Sequence, residues 1–132
     1  MSLTKQYAVH LIREISDRAI CSQKVSTIYL GGGTPSVLDI DSLKKIICEC
    51  RRHFSIDPNA EVTMEINPGT VEDQYLQELV SIGINRLSIG IQSFDDDNLK
   101  FLGRIHNSRD AVAVINKSTQ AGFENFGLDL IY

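Results

Sequence analysis

Polar side chains alternate with apolar ones along three short stretches of the sequence, 62–66, 87–92 and 126–130. Glu65, Gln92 and Asp129 fall at or near the carboxyl end of each stretch, on its polar side. A carboxylate that faces a protein interior is costly unless it is paired or hydrogen-bonded. We therefore expect either an internal ion pair with Arg86 or Arg104, or a ligand that offers an ammonium group or hydroxyls.

A glycine-rich loop, Gly31-Gly32-Gly33-Thr34-Pro35, follows the short apolar stretch 27–30. Glycines let the backbone approach a ligand closely and turn its N–H groups outward as donors, while Pro35 stiffens the loop. The loop is either a plain strand-to-helix connection or part of a ligand site. Arg104, just past Gly103, could bind a carboxylate through two parallel hydrogen bonds. An amino acid joined to a sugar would satisfy the loop, the acids and Arg104 together.

The elements that must position these side chains follow from apolar periodicity. Strands are predicted over 27–30, 61–66, 86–92 and 126–131, with a turn at Pro58-Asn59 between the first two. Helices are predicted over 4–20, from 41 to about 54, after 70, before 103 and before 122. The predicted helix caps are Asp39 or Asp41, Thr70, Ser93 or Asp95, and Ser108.

Strands and helices alternate throughout, which predicts an α/β fold with a parallel sheet. Two architectures fit, a doubly wound open sheet and part of a (β/α) barrel. Parallel strands covered by helices on both faces should be apolar on both. Because three strands here are polar on one side, we favour the barrel, whose interior those polar side chains would line. Its active-site rim is the carboxyl end of the strands.

The composition is that of an ordinary globular protein: 132 residues, 42% hydrophobic, 23% charged, with a net charge of −4. Nothing basic enough to bind nucleic acid is present, and no apolar run reaches membrane-spanning length. Cys21, Cys48 and Cys50 suit reduced thiols in a cytoplasmic protein. Cys48-x-Cys50 fits helix packing better than metal ligation, so no metal ligand is predicted.

Both ends of the chain look cut. Met1-Ser2-Leu3 resembles an expression-tag remnant, which leaves one domain over 4–132. The last residues, 128–132, predict a strand without a following turn. We therefore expect this chain to be a fragment of a longer protein.

Five ordered motifs resemble those of radical S-adenosylmethionine (radical SAM) proteins. The similarity is greatest to the oxygen-independent coproporphyrinogen III oxidases and their heme-chaperone branch, and the wording of the second to fourth motifs resembles the chaperone branch more. In chain order the motifs are Gly31-Gly32-Gly33-Thr34-Pro35-Ser36, Glu65-Ile66-Asn67-Pro68-Gly69-Thr70, Leu87-Ser88-Ile89-Gly90-Ile91-Gln92-Ser93-Phe94, Leu102-Gly103-Arg104-Ile105-His106 and Leu128-Asp129-Leu130-Ile131-Tyr132.

The resemblance implies a partial parallel barrel, about four βα units of which are present, and S-adenosylmethionine bound at the strand ends. The backbone of Gly32, Gly33 and Thr34 would hold the methionine amino end, and Arg104 would meet its carboxylate. The ammonium, ribose or sulfonium side would be held by Glu65, Gln92 and Asp129.

The resemblance also implies a [4Fe-4S] cluster, but the Cys-x-x-x-Cys-x-x-Cys loop that holds it in the family is missing from this sequence. We expect that loop to precede this chain in the parent protein, so that the fragment alone is inactive and carries no catalytic residue. The parent would be an oxidase that acts on a tetrapyrrole with an electron donor. Alternatives are a heme chaperone that binds and delivers heme, and a barrel lyase or aldolase with an anion at the glycine loop. We expect His106 to be a loop residue rather than a heme or metal ligand.

Overall fold

The computed structural model describes residues 2–19 and 24–132, and over these residues it shows five α-helices, a short 3₁₀ helix and four β-strands. The elements are α1 (Leu3–Arg18), β1 (Lys24–Leu30), the 3₁₀ helix (Pro35–Val37), α2 (Ile40–His53), β2 (Ser55–Ile66), α3 (Asp73–Ser81), β3 (Arg86–Gln92), α4 (Asp96–Phe101), α5 (Ser108–Gln120) and β4 (Phe126–Leu130).

The strands of the described part form one parallel sheet in the order β1-β2-β3-β4. Each strand lies beside its successor in the sequence, with at least one helix in each connection. A doubly wound sheet reverses its strand order at a switch point, whereas a barrel keeps it sequential. The predicted α/β fold is confirmed, and the sequential order is that expected of part of a (β/α) barrel.

The hydrophobic core lies on one face of this sheet. Apolar side chains of the two central strands are almost inaccessible there, and α1, α2, α3 and α5 pack residues against them. Alternation along a strand therefore leaves the polar side chains on the opposite face. The strand residues of the core are Val62, Met64, Ile66, Leu87, Ile89 and Ile91.

Two of the predicted helix starts are correct. Asp39 caps α2, its Oδ1 accepting from the Ser42 amide at 2.8 Å, and Asp95 caps α4 in the same manner. This is the role expected of aspartate before the first helical turn.

The caps predicted at Thr70 and Ser108 are wrong. Helix α3 begins at Asp73, because the Thr70 hydroxyl instead donates to the Asn67 carbonyl at 2.7 Å within a turn. Helix α5 is capped by Asn107, which forms a reciprocal capping box with Asp110. Ser108 is already the first helical residue.

The turn predicted at Pro58-Asn59 is a local irregularity inside a longer strand. Strand β2 pairs Ile56 with Val25 and then Glu61 with Thr27, so that residues 57–60 lie opposite a single residue of β1. Proline is tolerated at such bulges because no ladder hydrogen bond is required of it.

Within the described ranges, no helix is long and apolar enough to cross a membrane. The predicted tag residue Met1 and Cys21 lie outside the described residues.

Candidate functional site

The pairing register of the strands brings the predicted site residues of β2, β3 and β4 to one face of the sheet. Glu65 is the register partner of Ser88, and Ser88 is the partner of Gly127. Asp129 follows Gly127 by two residues and therefore points to the same side. We call this surface, opposite the hydrophobic core, the polar face.

Glu65 joins the glycine loop to the polar face. Its Oε1 accepts a hydrogen bond from the Tyr29 hydroxyl at 2.8 Å, and its Oε2 accepts from the Gly32 amide at 3.0 Å. The hydrogen bond to Glu65 is the main cause that raises the pKa of Tyr29. Tyr29 therefore keeps its proton at neutral pH and remains the donor in this contact.

Asp129 lies on the same face and contacts the neighbouring strand. Its Oδ2 accepts from the Ser88 hydroxyl at 2.9 Å, and its side chain is exposed. Glu65 and Asp129 thus each accept a hydrogen bond from a hydroxyl group on the strand beside their own.

The glycine loop has the backbone geometry that its sequence predicts. Gly32 and Gly33 have φ angles of 84° and 81°, a region that side chains other than glycine's rarely adopt. Gly31 has a different reason to lack a side chain. A Cβ there would lie 2.5 Å from Tyr29 Cε1 and 2.8 Å from Glu65 Oε1, so it would break the contact between them.

Arg104 reaches the polar face from the loop between α4 and α5. Its Nη2 donates to Asn67 Oδ1 at 2.8 Å and to the Gly90 carbonyl at 3.3 Å. A Cβ on Gly90 would lie 2.8 Å from Asn67 Oδ1, 3.1 Å from Gln92 Nε2 and 3.4 Å from Arg104 Nη2. The missing side chain of Gly90 therefore lets three polar groups meet above β3.

The alternative of an internal ion pair is not realised in the described part of the chain. Arg104 bonds an amide and a carbonyl there rather than Glu65 or Asp129. Arg86 pairs with Glu61 at 3.7 Å, near the other end of the sheet. Glu65 and Asp129 thus face the polar side without an arginine partner among the described residues.

A small cavity of about 190 Å³ lies beside the glycine loop. Thr34 and Arg104 both line it, so the loop and the guanidinium share one space. His106 also lines it; it is a loop residue as predicted, but only 4% of its surface is exposed. Asn67, Thr70, Gly103 and Ile105 complete the lining.

Sequence reasoning missed Tyr29 and Asn67 as members of this face. Tyr29 precedes Gly31 by two residues and Asn67 follows Glu65 by two, so the alternation that identified Glu65 also includes them. The hydroxyl of Ser88 was recognised as polar, but nothing in the sequence indicated its contact with Asp129.

Cysteine side chains do not form a metal site in the described part of the structure. Residues 2–19 and 24–132 contain no group of three or more histidine, cysteine, aspartate or glutamate side chains that could hold a metal ion. Cys48 is exposed and Cys50 is partly buried, and both lie on α2. Burial raises the pKa of the Cys50 thiol.

Comparison with known proteins identifies the family. Residues 3–132 match the model of the radical SAM superfamily. A protein named heme chaperone HemW from Haemophilus influenzae is 38% identical over 134 residues, which cover 97% of this chain and 35% of the relative. Heme chaperone HemW from Escherichia coli is also 38% identical, over 96% of this chain and 34% of its own length.

A solved structure shows the same fold. Coproporphyrinogen III oxidase (HemN) from Escherichia coli, described as a radical SAM enzyme, superposes with a TM-score of 0.88 at 31% identity, over 98% of this chain and 30% of the other. The chain spans about a third of the length of the relatives it matches. Its sheet matches the radical SAM barrel of that oxidase. The chain is a radical SAM domain and belongs to the radical SAM superfamily.

Proposed function

We propose that the polar face binds S-adenosylmethionine, and that the protein carrying this domain uses it in the handling of a tetrapyrrole. Membership of the superfamily implies S-adenosylmethionine and an iron–sulfur cluster. The observation that supports the proposed site is the meeting of the glycine loop, a carboxylate and a guanidinium at the carboxyl ends of parallel strands. Ligands of (β/α) barrels bind at that edge.

Arg104 is proposed to bind the carboxylate of the methionine part. Nη2 is held by Asn67 and the Gly90 carbonyl, whereas Nε and Nη1 make no hydrogen bond to other residues of the described ranges. A guanidinium fixed on one side and free on the other can meet a carboxylate in the two-bond geometry. Thr34 lines the same cavity and would contact this end of the ligand.

Glu65 and the glycine loop are proposed to hold the ammonium group. The carboxylate lies 3.0 Å from the Gly32 amide, so its negative charge lies directly beside the glycine loop. An ammonium ion is attracted to that charge. A phosphate would be repelled by Glu65 and would find the Gly32 amide already occupied, which argues against the lyase or aldolase alternative.

Gln92 and Asp129 remain for the ribose and the sulfonium. Gln92 Nε2 lies beside Arg104, and Asp129 lies beyond Ser88 on the neighbouring strand. An amide and a carboxylate can together donate to and accept from sugar hydroxyls. Asp129 also carries the negative charge that a nearby sulfonium requires.

The described residues fit S-adenosylmethionine but not the cluster, since they offer no set of metal ligands. S-adenosylmethionine supplies radical chemistry when it is bound at a reduced cluster. The residues of this chain bind and orient it. We propose that the cluster ligands and the electron donor lie outside this chain.

Between the two tetrapyrrole functions, we favour heme delivery over oxidation. The relatives named heme chaperone are 38–39% identical to this chain, whereas the structure of the oxidase is 31% identical. Titrating the full gene product with heme should shift the Soret absorbance at one equivalent, and anaerobic incubation with coproporphyrinogen III should yield no decarboxylated product. Turnover of coproporphyrinogen III would assign the oxidase function instead. A cytoplasmic location remains a prediction of the sequence.

The substitution Arg104→Lys tests the cofactor site. Lysine keeps the charge but loses the planar pair of donors, so S-adenosylmethionine affinity should fall roughly tenfold to a hundredfold, the effect of losing about 1.5–3 kcal/mol. Arg86→Lys is the matched control, because Arg86 lies on the same face but pairs with Glu61. Calorimetric titration of the full gene product measures the S-adenosylmethionine affinity of both variants. Equal affinity in wild type and Arg104→Lys would contradict the assignment.

A further inference from the structure

Gln92 adopts a backbone conformation that its residue type does not favour. Among the described residues it is the one non-glycine residue with a positive φ, 67°. The Ser93 amide donates to the Ile91 carbonyl at 2.9 Å, across Gln92. A positive φ enclosed by such a bond defines the rarer, strained form of the γ-turn. Strain of this kind persists only where surrounding contacts enforce it.

The turn ends β3 and sets the direction of the Gln92 side chain. The register between β3 and β4 shifts between Ile89 and Gln92, and the Ile131 amide donates to the Gln92 carbonyl at 3.0 Å. The Gln92 amide nitrogen thereby lies above Gly90, next to Arg104. If Gln92 had the backbone angles of a regular strand, its side chain would point in a different direction.

His106 makes the contact that holds this turn from the other side. Its Nε2 lies 3.0 Å from the Ile91 carbonyl, the same oxygen that closes the turn. A carbonyl only accepts, so Nε2 carries a proton and donates it to this oxygen. The other ring nitrogen, Nδ1, is buried and has no partner among the described residues. A buried polar atom without a partner is unfavourable, and an apolar residue would avoid it if packing were the only role of this position.

We propose that His106 is a positioning residue for Gln92: its Nε2–H group holds the Ile91 carbonyl and so keeps the strained turn that directs the Gln92 amide over Gly90. The proposal rests on the proposed function, in which Gln92 contacts S-adenosylmethionine. His106 also lines the small cavity, but the contact that carries this role is the one between its Nε2 and the Ile91 carbonyl. It acts through the backbone of Ile91 and Gln92.

Two substitutions separate the hydrogen bond from the bulk of the ring. Glutamine can place its Nε2 where the histidine Nε2 lies, whereas asparagine is too short to reach the Ile91 carbonyl. In the full gene product without ligand, His106→Asn should speed hydrogen exchange of the Ile131 amide about fivefold, since its acceptor is the Gln92 carbonyl. His106→Gln should leave that exchange close to wild type.

Calorimetric titration with S-adenosylmethionine then tests the route through Gln92. His106→Asn should lower affinity about tenfold and His106→Gln should restore it. In a Gln92→Ala background, His106→Asn should lower affinity less than twofold further, because the side chain that it positions is absent. In an Arg104→Lys background the effect should remain about tenfold.

Several results would overturn the proposal. If His106→Asn and His106→Gln lose the same amount of S-adenosylmethionine affinity, the Nε2–H donor is not the important group. Coupling to Arg104 without coupling to Gln92 would make His106 a support of the loop alone. If His106→Asn does not fold while His106→Gln does, the hydrogen bond is needed for overall stability rather than for positioning Gln92. If the wild-type protein binds no S-adenosylmethionine, the proposed function fails, and an unchanged Ile131 exchange in His106→Asn would refute the positioning role independently.

Discussion

Alanine at Gly90 perturbs the group of polar side chains above β3 without changing any of their chemistry. The added Cβ would lie 2.8 Å from Asn67 Oδ1, a distance that real Cβ atoms essentially never show. Asn67 is also the acceptor of the 2.8 Å bond from Arg104. The three nearest atoms all belong to side-chain ends, so we expect Asn67 to move and release Arg104 while the strand remains in place.

Two effects of opposite sign determine how much Gly90→Ala changes the free energy of unfolding. Losing the Asn67–Arg104 bond, which involves a charged donor, costs about 1.5–3 kcal/mol. Alanine in a strand gains about 0.5–1 kcal/mol over glycine because the unfolded chain is less free. The cost of the lost hydrogen bond is the larger of the two, so Gly90→Ala should lower the free energy of unfolding by about 1–2 kcal/mol. For a domain of this size that is roughly 4–8 °C in Tm.

The assay combines thermal unfolding with calorimetric titration of S-adenosylmethionine. Affinity should fall about tenfold in Gly90→Ala, because Arg104 loses the contact that fixes one side of its guanidinium. Gly127→Ala is the control on the same face, where the added Cβ meets only Arg86 Nη2 at 3.2 Å. A Gly90→Ala protein as stable as wild type and with unchanged affinity would refute the reasoning about this cluster.

Three further predictions concern individual groups. Asp39→Ala should lower the free energy of unfolding by about 1 kcal/mol, while Asp39→Ser keeps the cap. Because the hydrogen bond from the Ser42 amide lowers the pKa of Asp39, the wild type should lose this contribution as the pH falls below about 4, whereas Asp39→Ser should not. Chemical denaturation at a series of pH values measures the difference. Ser16→Ala should raise the pKa of Glu49, whose main depressing contact is the Ser16 hydroxyl at 2.7 Å, and an unchanged carboxylate titration by NMR would contradict this. Gln92→Gly should be more stable than Gln92→Ala by about 1 kcal/mol, since glycine adopts a positive φ without strain; equal denaturation midpoints would refute it.

The strands were predictable wherever apolar and polar residues alternate strictly. Strand β3 has the predicted bounds, Arg86–Gln92, because its alternation is uninterrupted. The start of β2 was missed because Pro58 and Asn59 are typical turn residues, and only pairing with β1 shows that they lie in a bulge. Thr70 is a good cap by residue type, but its hydroxyl is used within the preceding turn.

The candidate site was predictable in its residues but not in its contacts. Alternation placed Glu65 and Asp129 on one side of the sheet, and the glycine loop was expected beside them. The expected partner of an acid was either an arginine or a ligand, yet within the chain Glu65 accepts hydrogen bonds from a phenol and a backbone amide. Glutamine carries no local signal for a positive φ, so the turn at Gln92 and the buried contact of His106 arise from tertiary structure alone.

A structure of the full gene product with bound S-adenosylmethionine tests the central claim most directly. Our account predicts the ligand on the polar face, its carboxylate within hydrogen-bonding distance of Arg104 and its ammonium group between Glu65 and the glycine loop. A ligand bound elsewhere, or bound there with Arg104 still turned only toward Asn67 and Gly90, would contradict it.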